Sequence, residues 1–99
     1  MPRVVNHLPQ PRDPETEKQL ARVQVAFGAA VRRHRHEKLM TQEELAERAS
    51  LHANYIGSLE RGERNVSLFN IWRIASGLGM TAAQLLADLP NARTKAAKR

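Results

Sequence analysis

No cysteine occurs among the 99 residues, which excludes a disulfide framework, a thiolate zinc site and a cysteine nucleophile together. Aromatic residues are scarce as well, with two Phe, one Trp and one Tyr making 4% of the chain, so the core must be aliphatic. No apolar run approaches the roughly 20 residues of a membrane span, and no signal-peptide core follows the first residues. We therefore expect a cytoplasmic protein without a membrane partner. No segment alternates with period two, so strands are not expected. Ser58 and Ser67 have no accompanying His/Asp pattern and no glycine-rich phosphate loop is present, which argues against an enzyme. The run Arg33-His34-Arg35-His36 sets its histidines two residues apart, on different sides of a helix. Helical metal ligands usually stand at i and i+4, so neither metal nor cofactor is expected.

What is present is an ordinary globular balance, 41% hydrophobic and 26% charged, at a length that suits one small domain with tails. The charge is uneven. Sixteen Lys and Arg against ten Asp and Glu leave a formal +6, and the isoelectric point is near 10.8. Such an excess on a small domain suggests a polyanionic partner, usually nucleic acid. Arg93, Lys95, Lys98 and Arg99 crowd the last ten residues with no acid among them. That tail, residues 90–99, serves either phosphate contact or solubility. Residues 1–12, with Pro2, Pro9 and Pro11 and no periodicity, read as an irregular arm, leaving 13–89 as the folded domain.

Five helices are expected in that domain. Asp13-Pro14 has the form of an N-cap followed by proline at the first helical position. Leu20, Val23, Phe27 and Val31 then recur at spacings of three and four, predicting a long first helix that ends near Lys38. Thr41 and Glu44 make a capping box for a second helix through Ala49. Ser50-Leu51-His52 is a turn, and a third helix runs from about Ala53 to Arg61, stopped by Gly62. Ser67 caps a fourth, with Leu68, Ile71, Ala75 and Leu78 inward and Gly79 just past its end. Thr81 and Gln84 box a fifth helix through about Leu89, before Pro90. The fold class is all-α.

The second and third helices, three residues apart, describe a helix-turn-helix, with Gln42, Ala46, Leu51, Ile56 and Leu59 at the expected places. Ala53, Asn54, Gly57, Ser58 and Arg61 are left for the outer side. Asn54 and Ser58, one turn apart, could both reach base edges, and Asn pairs bidentately with adenine. Ala53 offers a thymine-methyl contact. Gln42, at a helix N-terminus, suits a phosphate. Arg61, Arg64 and Asn65 follow the third helix; an arginine there forks onto guanine or phosphate, and Asn65 suits a phosphate or merely a turn.

The run Thr41-Gln42-Glu43-Glu44-Leu45-Ala46, then Tyr55-Ile56-Gly57-Ser58-Leu59-Glu60-Arg61-Gly62 and Arg64-Asn65-Val66-Ser67-Leu68, resembles the Cro/XRE family of five-helix repressors. It looks most like restriction–modification controller proteins, over about residues 24–89. The resemblance implies a homodimeric transcriptional regulator on a double-stranded DNA operator with inverted repeats, with RNA polymerase as a further partner where it activates. It also implies an architectural ion pair, Arg35 with Glu60. Two positions depart from the family: His34 stands for an aliphatic core residue and Leu39 for the usual glycine after the first helix. Phe69 and Trp72, three apart on a face the monomer core does not need, suggest a dimer interface shared with Leu85, Leu86 and Leu89. The competing explanation folds the N-terminal segment over those aromatics within one subunit. A rival function is an antitoxin-type helix-turn-helix protein that binds a toxin partner and autoregulates its operon.

Overall fold

The computed structural model describes residues 11–91; the arm up to residue 10 and the basic tail from residue 92 lie outside them. Five helices follow in order, α1 (Pro14–Glu37), α2 (Gln42–Ala49), α3 (Ala53–Glu60), α4 (Leu68–Gly77) and α5 (Ala82–Leu85). No strand occurs among the described residues, and no helix there is long and apolar enough to cross a membrane.

Short polar side chains start four of the helices by satisfying free N–H groups of the first turn. Asp13 accepts from Thr16, Thr41 from Glu44, Ser67 from Asn70 and Thr81 from Gln84. Thr41 and Thr81 complete capping boxes, since Glu44 and Gln84 reach back to their backbone N–H groups. Helix ends close through left-handed residues. At Gly79 (φ 74°) this suits glycine, but the equivalent residue after α1 is Leu39, at φ 54° and 91% exposed. The Leu39 and Met40 N–H groups still bond back to His36 and Arg35, so the motif forms on an unfavourable residue.

α2 packs on both α3 and α4, α1 crosses α3, and α5 closes against α4. Phe27, Val31, Leu45, Ile56, Leu59, Ile74, Leu78 and Leu85 form the buried centre. Where α1 crosses the end of α3 the backbones nearly touch. A Cβ on Gly28 would lie 2.2 Å from the Leu59 carbonyl oxygen, which only glycine permits.

Several side chains fall outside the expected pattern. Burial on α1 begins at Phe27; Leu20 is partly buried and Val23 is 40% exposed, because the first half of α1 runs past the core. Leu68 is in register with Ile71, Ala75 and Leu78 but lies on a first turn that stands clear of the core, and is 75% exposed. α5 is a single turn and does not reach Leu89. Its continuation tightens, with the Ala87 N–H bonded to Gln84 and that of Leu89 to Leu86, three residues back in each case. Asp88 is drawn onto Arg33 at 2.7 Å. His34 is not in the core; it lies partly exposed, 3.4 Å from Glu37.

Candidate nucleic-acid interface

The geometry of the helix-turn-helix is held by one ion pair. Arg35 on α1 grips Glu60 at the end of α3 with two parallel bonds, Nε to Oε2 at 2.7 Å and Nη2 to Oε1 at 2.8 Å. Its Nη1 donates to the Met40 carbonyl at 2.8 Å. The side chains are only 9% and 3% exposed, so this is a desolvated pair in which all three guanidinium nitrogens of Arg35 are engaged. Burial pushes the Glu60 carboxyl up, but hydrogen bonds from Arg35 and Gln42 and the Arg35 charge outweigh it and hold it below the ordinary glutamate range. The bond to Glu60 likewise raises Arg35 against the cost of burial.

Gln42, the first residue of α2, donates from Nε2 to Glu60 Oε1 at 3.0 Å. Part of its amide is therefore committed inside the protein, which the expectation of a free phosphate donor overlooked. Gly57 lies beside it: a Cβ there would meet Gln42 Oε1 at 3.4 Å, an ordinary contact. Gly57 is buried, not on the outer surface.

Along α3, Asn54 is exposed and Ala53 partly buried. Ser58 is the correction. It was expected on the open face one turn beyond Asn54, but it is 5% exposed. Its hydroxyl donates to the Tyr55 carbonyl at 2.8 Å and accepts from Arg64 Nε at 2.9 Å, so a side chain returning from the loop covers it. The Arg64 guanidinium also lies 5.9 Å from the centre of the Tyr55 ring, whose hydroxyl accepts from Asn70 Nδ2 at 3.2 Å. Tyr55 and Asn70 went unassigned in the sequence; the Tyr55-Ile56 run was the available signal.

Arg61, three residues before Arg64, is held differently. Its Nε and Nη2 donate to Glu63 at 3.0 and 3.2 Å, on the surface. That bond raises Arg61 and, with its charge, holds Glu63 below the usual carboxylate range. Asn65 is exposed and lines an open groove with Arg12, Arg22, Leu20 and Asn91.

On α4, Phe69 and Trp72 stack with ring centroids 6.1 Å apart and planes within 13°. They are 56% and 60% exposed, and Leu68 beside them is 75% exposed. The Arg73 guanidinium sits 4.2 Å from the Phe69 ring centre. The leucines expected to share this patch are placed otherwise. Leu85, the last residue of α5, is 1% exposed within the core, and Leu86 and Leu89, in the tightened continuation beyond it, are partly buried against the core.

The helix-turn-helix family matches residues 31–85. Control protein C.MunI from Mycoplasma sp. is 38% identical over 68 residues, 68% of this chain and 92% of that protein. Control protein C.BamHI from Bacillus amyloliquefaciens is 46% identical over 65 residues, covering 65% and 80%. Among solved structures, the restriction-modification controller protein C.AhdI from Aeromonas hydrophila superposes with a TM-score of 0.61 at 42% identity, over 63% of this chain and 94% of that one.

Proposed function

The chain belongs to the Cro/XRE-type helix-turn-helix family, with restriction-modification control proteins among its relatives, and from that premise we propose that it is a DNA-binding transcriptional regulator controlling a restriction–modification operon. The observation that carries this reading is the outer face of α3 and the loop after it. There Asn54, Arg64, Arg61 and Asn65 lie exposed around a helix that Arg35, Glu60 and Gln42 hold in place from behind. Asn54 reads a base edge, Arg64 reads guanine, and Arg61, Asn65 and the remaining amide hydrogen of Gln42 meet phosphates. Two copies related by a two-fold axis place two such helices in successive major grooves, about 34 Å apart. The exposed face of Leu68, Phe69 and Trp72 joins them. Operator position relative to the promoter then sets repression or, with RNA polymerase as partner, activation. The setting is the cytoplasm, with the DNA.

Footprinting on the DNA upstream of the chain's own gene tests this directly. The expected pattern is two protected half-sites one turn apart, bound at least about a thousandfold more tightly than random duplex. Asn54→Ala should weaken the operator complex about ten- to a hundredfold and leave random duplex unchanged. Equal binding of operator and random DNA by the unmodified chain would overturn the reading.

A further inference from the structure

We infer that Ser58 is a positioning residue: its buried hydroxyl docks Arg64 onto the open face of α3 and presents the far edge of that guanidinium as a reader of guanine. This rests on the reading of α3 and its following loop as the DNA-facing surface. Arg64 belongs to an exposed loop, where a long side chain normally samples many rotamers and loses that freedom on binding. Here it is drawn back across the helix. Ser58 stands one turn, about 5.4 Å, beyond Asn54 on the same helical face. The arginine therefore covers the position that the serine side chain would otherwise present.

The bonding also selects which edge of the guanidinium remains. Arg64 Nε is spent on Ser58 Oγ at 2.9 Å, and the hydroxyl proton is spent on the Tyr55 carbonyl at 2.8 Å, so the oxygen lone pair is fixed toward the arginine. The Tyr55 ring forms a second wall at 5.9 Å, itself tethered by Asn70 at 3.2 Å. With Nε engaged, the end-on fork of Nη1 and Nη2 is the edge free to donate, matching the paired acceptors O6 and N7 of guanine. The partner is neutral, so Arg64 brings its charge to the interface. Arg61 differs on this point, since its Nε and Nη2 are already held by the Glu63 carboxylate.

The test uses the full chain, the footprinted operator duplex, a random duplex of equal length, and operators with single guanines replaced by 7-deazaguanine, which lacks N7. Ser58→Ala should lower the operator-to-random ratio about three- to tenfold. It should erase the penalty at one 7-deazaguanine position and leave the salt slope unchanged, because the Arg64 charge remains. In an Arg64→Ala background, Ser58→Ala should have no further effect. An unchanged ratio, or an equal drop in that background, would overturn the inference while leaving the regulator reading intact. Arg64→Lys, at an exposed position that spares folding, keeps the charge and removes the fork. The lysine ammonium can still donate to guanine but has no Nε for Ser58 to hold, so the salt slope should stay unchanged and Ser58→Ala in that background should have no further effect; a further drop would overturn the inference. If the unmodified chain fails to prefer operator over random DNA, both the inference and the reading beneath it fall.

Discussion

The recognition end of the molecule and the outer face of α4 are built on opposite terms. At the recognition end the long polar side chains already have partners within the chain: Arg35 and Gln42 on Glu60, Arg64 on Ser58, Arg61 on Glu63. On α4, Leu68, Phe69 and Trp72 are exposed by more than half, supported by little beyond each other and Arg73. Polar groups in a nucleic-acid interface gain from being aimed in advance, since their directional bonds tolerate little misplacement. Apolar groups need no aiming, only another surface to cover them. The difference teaches that one end is finished by the fold of a single chain, whereas the other is left open, and on the proposed reading a second copy covers it.

The largest expected effect breaks the finished end. Arg35→Met strands a buried carboxylate and should cost about 3 kcal/mol in denaturant unfolding, whereas adding Glu60→Leu should recover much of it. A harmless single substitution would mean the pair contributes no rigidity. Because the folded Glu60 value lies below its ordinary 4.5, the contribution of the pair is complete above that pH and is lost as pH falls through the lowered value. Acid titration of stability should therefore show a component below pH 4.5 that the double variant lacks.

Next in size is the open face. Trp72→Ala should weaken self-association by about 2 kcal/mol, roughly thirtyfold, and weaken cooperative operator binding in step, without lowering monomer stability. A loss of monomer stability instead would make Trp72 a core residue and dissolve the contrast.

The smallest effect sharpens it by touching neither end. Leu39→Gly relieves a left-handed residue whose cost is about 1–2 kcal/mol, partly offset by the looser unfolded chain. Stability should rise by about 1 kcal/mol, or about 5 °C in Tm, with operator affinity unchanged.

How much of this was legible follows from the range over which each feature is determined. The helix starts at Asp13, Thr41, Ser67 and Thr81 could be read because a cap and its target lie three residues apart. The all-α class and the inward Ile56, Leu59 and Leu78 followed from periodicity for the same reason. Ser58 could not be read, since what covers it is a side chain six residues on that returns across the helix. Leu85 was misplaced because a helix ending after one turn and one continuing to Pro90 share the same leucine spacing. Leu68 had the right register on a turn that the core does not reach, and periodicity carries no information about where the core stops. Leucine gives no local sign of positive φ, so the strain at Leu39 was visible only through the resemblance to a family with glycine there.

The most direct test of the contrast is analytical sedimentation of the full chain, paired with emission of its single tryptophan, across a dilution series. The account predicts a dimer that dissociates on dilution, with Trp72 emission shifting to the red at the same midpoint while helical circular dichroism stays constant. Dissociation with no change in Trp72 emission, or a Trp72→Ala variant that remains a dimer at nanomolar concentration, would contradict it.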